Sequence, residues 1–260
     1  MIARYSLRFF ALAYLAALLL VPVALVFRKT FAHGVGPVWD ALSTGDARHA
    51  FLLTIEIAAI AVPLNTVFGV LCALAIVRRR FPGKGLLNAV VDLPLALSPV
   101  VVGLALLLLY GRGGWLNGLP WQMLFALPSM VLATIFVSLP FVVREVVPVL
   151  REIGTEQEEA AATLGAGPWQ VFRRVTFPAI RWAVAYGVVL TTARALGEFG
   201  AVSVVSGRIV GRTETLTTRV QDQFEGFDLT GAYSASVVLM LIAISTLVVL
   251  SVFKPKEETR

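Results

Sequence analysis

The sequence predicts an all-α membrane protein with six transmembrane helices. Hydrophobic residues make up 58% of its 260 residues and charged residues 15%, compared with about 45–50% and about 25% in soluble domains. The apolar residues form runs close to the roughly 20 residues that a helix needs to cross a bilayer, and most basic residues lie between these runs. The predicted spans are residues 9–27, 51–77, 86–110, 121–143, 179–205 and 233–253.

The first apolar run follows a short basic segment, residues 1–8. The run is too long for the apolar core of a typical signal peptide, and it has no convincing A-x-A cleavage site. We therefore expect a retained first helix and assign residues 1–50 to this helix and a first external loop. Residues 51–253 form the predicted core, and residues 254–260 form a predicted cytoplasmic tail.

The orientation follows from the Lys and Arg residues in the connections, which are enriched on the cytoplasmic side of membrane proteins. With the N-terminus inside, fourteen of the 22 Lys and Arg residues lie on the inner side and seven on the outer side, while Arg194 lies inside a span. This bias predicts that both termini are cytoplasmic. The net charge of +6 is then explained by topology, and it does not indicate a nucleic-acid partner.

The sequence contains no pattern that predicts catalysis. The Gly83-Lys84 pair does not complete a phosphate-binding loop, because Arg78 occupies the place of the first glycine. His33 and His49 lie in the first outer loop, and the single cysteine lies inside an apolar run. We therefore predict no catalytic residue, no metal site and no cofactor on this chain.

One long inner segment, residues 144–178, is predicted to form helices on the membrane surface. Residues 156–164 are rich in helix-forming residues, and the acidic residues at their start suit the positive end of the helix dipole. Thr155 can cap this helix, Gly165 can turn the chain after it, and Pro168 can open a second helix. A soluble partner has about 35 residues to bind there.

The same segment carries a spaced motif. Glu-Ala-Ala at 159–161 is followed after three residues by Gly165, and after nine more by Val-Thr-Phe-Pro at 175–178. This pattern resembles the EAA signature of permease subunits of ABC importers. Val175 and Phe177 replace the Ile and Leu of the signature, and both changes are conservative.

The resemblance implies the type I ABC importer (MetI-like) permease fold and a helix that couples the chain to an ATPase. It implies that Glu159 pairs with a basic residue of the ATPase and that Ala160 and Ala161 permit close approach. It also implies that Gly165 makes the turn and that Pro178 closes the motif.

Three further stretches resemble the sulfate/thiosulfate permeases of this family: residues 92–111, 140–149 and 186–207. The last reads Y-G-V-V-L-T-T-A-R-A-L-G-E-F-G-A-V-S-V-V-S-G. Molybdate permeases share A-R-A-L-G-E-F-G-A but typically diverge after it, so the continuation favours sulfate or thiosulfate. Molybdate or tungstate import is the alternative within the family.

The resemblance also implies the partners and the location. The chain would form half of a translocation pathway in the bacterial inner membrane, without catalysing a reaction itself. Its expected partners are two copies of a CysA-like ATPase, which bind the ATP and Mg²⁺, a CysT-like second permease, and an external sulfate/thiosulfate-binding protein. A secondary anion carrier is the rival from another class, and it would require inverted repeats and a free arginine-lined site. A membrane assembly protein without transport is a third alternative.

The fifth predicted span contains two patterns that do not depend on the resemblance. Ala193, Gly197 and Ala201 recur every four residues, which predicts a stripe for close packing against another helix. Arg194 and Glu198 form a charged i,i+4 pair inside an apolar run. Because ions inside a membrane are costly, the pair is expected to face protein or a water-filled path. Its role is a structural ion pair, part of a gate or pathway, or a direct contact of Arg194 with an anion.

Overall fold

The computed structural model describes residues 2–116 and 123–253. Over these residues the structure consists of α-helices, one π-helical turn at Phe172–Thr176 and connecting loops. The predicted tail at 254–260 and the first two residues of the predicted fourth span lie outside the described residues. The helices are α1 (Ile2–Thr30), α2 (Gly36–Ser43), α3 (Gly45–Arg78), α4 (Lys84–Ala96), α5 (Pro99–Tyr110), α6 (Leu127–Glu152), α7 (Glu156–Thr163), α8 (Pro168–Val171), α9 (Phe177–Leu196), α10 (Gly200–Val205), α11 (Leu216–Glu225) and α12 (Leu229–Phe253).

Five helical segments in the described part of the chain are long and apolar enough to cross a membrane, and a bent pair supplies a sixth. Counting α8, the π-helical turn and α9 as one segment, the five are Leu12–Thr30, Gly45–Arg78, Leu127–Glu152, Pro168–Leu196 and Leu229–Thr246. The pair consists of α4 and α5, which meet at an angle of 111°. The chain is therefore an all-α membrane protein with up to six spans.

The predicted third span, 86–110, is not one continuous helix. Leu97 and Ser98 have extended backbone conformations between α4 and α5, and Pro99 begins α5. A proline ring disfavours the helical conformation in the residue before it and cannot donate a backbone hydrogen bond. Pro99 therefore breaks the span instead of bending it slightly.

Other boundaries also differ from the prediction, and two of them extend a helix by several residues. Helix α3 begins at Gly45, and the Thr44 hydroxyl accepts a hydrogen bond from the Ala47 N–H at 3.2 Å. Residues 45–50, assigned to an external loop, are therefore helical. Helix α6 continues to Glu152. The first nine residues of the predicted inner segment, 144–152, therefore belong to α6, and the connection to α7 begins only after them.

The core of the bundle is the packing of α6 between α3 and α9. Val142 of α6 is buried between two glycines: a Cβ added to Gly69 of α3 would lie 2.7 Å from its Cβ, and one added to Gly187 of α9 would lie 3.0 Å from its Cα. About one helical turn away, the Asn65 amide donates to Ile135 O at 3.1 Å and to Ser138 Oγ at 2.8 Å. Glycine lets the backbones approach closely, as small residues do in membrane bundles.

We expect Gly69→Ala to destabilise the protein although alanine favours a helix. The added methyl group would meet the branched Val142 side chain, and overpacking of this kind costs about 1–3 kcal/mol. The matched control is Gly85→Ala in α4, where an added Cβ has no neighbour within 4 Å, so that helix propensity alone acts there. Thermal unfolding of the detergent-solubilised variants measures the effect, and equal melting temperatures for Gly69→Ala and the wild type would contradict this account of the packing.

Candidate functional site

The inner segment forms a helix–turn–helix at one end of the bundle. Helix α7 ends at Thr163, and Gly165 reverses the chain with φ +89°, a conformation that glycine adopts without steric cost. Pro168 then begins α8, and the Gly167 N–H donates to Gln170 Oε1 at 3.0 Å. The helix at 156–164, the turn at Gly165 and the second helix are thus as the sequence predicts.

Thr155 occupies the N-cap position of α7, but its side chain does not cap the helix as predicted. Its backbone lies near the helical region, with φ −113° and ψ −6°, whereas a capping residue is usually extended. Its hydroxyl donates instead to Glu159 Oε1 at 2.7 Å.

Most residues of this helix–turn–helix are exposed, and we call five of them the coupling surface. It comprises Glu159, Ala160, Leu164, Gly165 and Trp169. Leu164 is 89% exposed and Trp169 69% exposed, and the Trp169 ring stacks on Phe172 with 5.5 Å between centroids. An exposed acidic side chain and two exposed large apolar side chains within one short segment suit the binding of a protein partner.

The predicted coupling residues are distributed around this surface. Ala161, next to Ala160 in α7, is half-buried. Pro178 lies in the first turn of α9, directly after the π-helical turn. Proline has no N–H to donate to the carbonyl four residues earlier, and its ring clashes with that carbonyl. The wider π-helical turn, in which the Phe177 N–H bonds to Phe172 O, accommodates it.

Sequence reasoning missed the residues that attach α7 to the bundle. Glu158, one residue before the motif, accepts a hydrogen bond from Arg78 Nε at 2.9 Å and from Thr176 Oγ1 at 2.8 Å. Both charged side chains are mostly buried. The sequence alone shows only that Glu158 and Glu159 are adjacent acidic residues of a predicted helix. Adjacent residues of a helix face different directions.

The predicted Arg194–Glu198 pair lies where the fifth predicted span breaks. Helix α9 ends at Leu196 and α10 begins at Gly200. Arg194 Nη1 lies 2.7 Å from Glu198 Oε2, with the arginine side chain 30% exposed and the glutamate side chain 2% exposed. Glu198 Oε1 accepts from the Ala201 N–H at 2.8 Å. The carboxylate therefore pairs with arginine and also satisfies a backbone donor at the start of α10.

The predicted packing stripe of Ala193, Gly197 and Ala201 is wrong as a continuous feature, because the helix ends between its members. Gly197 is the C-cap of α9 and is exposed. Ala201 belongs to α10 and is buried against α5, where a Cβ added to Gly103 would lie 2.8 Å from Ala201 O. The close contact is therefore between α5 and α10.

At the opposite end from α7, a loop and a short helix that the sequence reasoning missed cover the bundle. Helix α11 begins where the Leu216 N–H donates to Thr54 Oγ1 of α3 at 2.9 Å. Buried Glu214 accepts from Arg219 Nη1 at 2.9 Å. Burial raises the pKa of Glu214, and its hydrogen bond with Arg219 opposes that rise. The spacing of Leu216, Val220 and Phe224 is the signal that could have predicted α11.

The described residues contain no group of three or more His, Cys, Asp and Glu side chains that could hold a metal ion. What the geometry offers is an exposed surface for a protein partner at one end and a buried ion pair at a helix break.

The fold and this surface define a class of protein. The chain belongs to the family described as binding-protein-dependent transport system inner membrane components, whose model matches residues 65–256. In solved structures, a bacterial alginate ABC transporter in complex with an alginate pentasaccharide-bound periplasmic protein has the same fold. The TM-score is 0.78 over 96% of this chain and 92% of that chain, with 17% sequence identity.

The curated relatives described next are permease proteins of sulfate transport systems. The chain is 49% identical to the sulfate transport system permease protein CysW of Synechocystis sp., over 97% of this chain and 93% of that protein. It is 49% identical to CysW of Escherichia coli K12, over 94% and 86% of the two chains. Its identity to CysT of the same organism is 37%, over 91% and 89%. The chain is thus more similar to CysW than to CysT.

We expect Arg194→Leu to lower the yield of folded protein more than Arg194→Leu combined with Glu198→Gln. The single change leaves a buried carboxylate without its partner, which typically costs about 3–5 kcal/mol. The glutamine of the double variant is neutral and can still accept from the Ala201 N–H. Size-exclusion chromatography of detergent extracts measures the yield. If the double variant is no better than Arg194→Leu, the two charges do not neutralise each other.

Proposed function

We propose that this chain is the permease subunit of an ATP-driven sulfate/thiosulfate importer, in which it forms half of the translocation pathway. The observation that carries the proposal is 49% identity with a sulfate permease, CysW, over 97% of the chain. All three relatives are named for sulfate, which favours sulfate over the molybdate or tungstate alternative.

In this proposal the coupling surface binds an ATPase subunit. The Glu159 carboxylate is exposed on α7, and its one hydrogen bond to Thr155 leaves acceptor positions for a cationic side chain of the ATPase. Leu164 and Trp169 lose water on contact, which favours association. ATP and Mg²⁺ bind to the ATPase, so this chain needs neither a cofactor nor a catalytic residue.

The complete transporter contains two ATPase copies, this chain, a second homologous permease and an external binding protein. The 37% identity with CysT supports a CysT-like second permease. The alginate transporter in complex with its periplasmic protein supports delivery of the anion by a binding protein. Closure of the ATPase pair moves the coupling surfaces and switches the pathway between inward and outward openings.

The proposal also sets the orientation in the inner membrane. The end that carries α7 faces the cytoplasm, where the ATPase is found, and both termini are cytoplasmic. Clusters of basic residues next to that end support this orientation. They include Arg79 and Arg80 after α3 and Arg173 and Arg174 in the π-helical turn.

We expect proteoliposomes with the complete transporter to accumulate radiolabelled sulfate only when ATP is inside and binding protein is outside. Excess thiosulfate is expected to compete and excess molybdate is not. Vesicles without this chain are the control, because the pathway then lacks one half. Uptake of labelled molybdate without uptake of sulfate would overturn the assignment of the substrate.

We expect Glu159→Lys to abolish sulfate uptake and ATPase association while the variant still inserts into the membrane. Reversing a charge at a protein interface places like charges together, which costs several kcal/mol. The matched control is Glu156→Lys, which reverses another exposed acidic residue of the same helix. Co-purification with the ATPase measures docking. An intact complex with Glu159→Lys would show that this carboxylate does not pair with the ATPase.

A further inference from the structure

Helix α7 is held to the membrane helices mainly by polar contacts. None of its eight residues is buried, so it has no apolar face that anchors it. A cleft of about 470 Å³ lies between the end of α3 on one side and α7, α8 and the π-helical turn on the other. Apart from the chain connections at the two ends of α7, a contact that transmits force from α7 to α3 must therefore cross this cleft.

One carboxylate of α7 crosses the cleft. Glu158 uses its two oxygens for different elements: Oε2 accepts from Arg78 Nε at 2.9 Å, and Oε1 accepts from Thr176 Oγ1 at 2.8 Å. Arg78 is the last residue of α3, and buried Thr176 directly precedes α9. Glu158 thus links α7 with two membrane helices.

Arg78 adds the third membrane helix. Its Nη1 donates to Leu150 O at 2.8 Å, and its Nη2 donates to Gly154 O at 2.7 Å. Leu150 O is one of the last four carbonyls of α6, which have no partner within the helix, and Gly154 O lies in the turn directly after α6. All three nitrogens of the guanidinium group are therefore bonded, to α6, to the turn after it and to α7.

We propose that Arg78 and Glu158 are positioning residues that transmit movement of α7 to α3, α6 and α9 together. This inference rests on the proposed function, in which the ATPase moves α7. Glu159 binds the partner, and its neighbour Glu158 passes the movement on. Arginine suits this task because its planar group donates in three fixed directions, whereas the ammonium group of lysine is a single point on a flexible stem.

The test compares Arg78→Lys with the wild type in the complete transporter in proteoliposomes. Lysine keeps the charge beside Glu158 but cannot reach Glu158, Leu150 O and Gly154 O together. The docking residues are unchanged, so we expect normal assembly and normal basal ATP hydrolysis. We expect the sulfate imported per ATP hydrolysed to fall roughly tenfold, which corresponds to a loss of about 1.4 kcal/mol of coupling between α7 and the membrane helices. The control is Arg79→Lys at the next residue, which is exposed.

A second readout does not depend on the substrate. Cys72 is the single cysteine of the chain and lies in α3, six residues before Arg78. In the wild type we expect ATP with vanadate to change the rate at which a maleimide modifies Cys72, because α3 moves with α7. In Arg78→Lys we expect the nucleotide to leave this rate unchanged.

A further variant keeps the test decisive if Arg78→Lys assembles poorly. Thr176→Val removes only the bond between Glu158 and the start of α9, and we expect it to lower the sulfate imported per ATP without lowering the yield. The inference would be overturned if both variants import as much sulfate per ATP hydrolysed as the wild type. It would also be overturned if nucleotide changes the rate of Cys72 modification equally in Arg78→Lys and in the wild type. A wild type that shows the Cys72 response but imports no sulfate would overturn only the proposed substrate.

Discussion

The arrangement of the bundle depends on the close packing of α6 between α3 and α9. Gly69 and Gly187 leave room for Val142 on both sides, and a Cβ at either glycine would lie within 3.0 Å of it. This contact holds the three helices side by side. It brings the last residue of α3, the final carbonyls of α6 and the start of α9 within reach of one arginine and one glutamate. The attachment of α7 is therefore a consequence of packing inside the membrane.

The two broken spans, α4–α5 and α9–α10, also depend on packing within the protein. Irregular backbone at membrane depth must be buried in protein or line a cavity, because lipid offers no hydrogen bonds. Here the breaks meet each other: a Cβ added to Gly200 at the start of α10 would lie 2.8 Å from Pro99 Cβ at the start of α5. Glu198 satisfies a donor at the second break and pairs with Arg194. Discontinuous helices beside a charged pair are typical of transport pathways.

Adjacent residues on α7 serve separate purposes because a helix turns about 100° per residue. Glu159 faces outward with acceptor capacity to spare, whereas both oxygens of Glu158 are bonded within the chain. The motif defined by spacing therefore identifies the residue that we propose to meet a partner. The residue that holds the helix in place lies beside the motif and is recognised only by its contacts.

The sequence by itself determined the class of protein, the approximate number and position of the spans and the helix–turn–helix of the coupling surface. These features are local: run length is dictated by bilayer thickness, and turns by glycine and proline. The tertiary structure decided the break after Leu196 and the Arg78–Glu158 bond, whose partners are 80 residues apart. Apolar runs record only that a segment prefers lipid or protein to water. Where the helix stops inside such a run depends on which distant groups satisfy its backbone, and this is settled only when the helices pack.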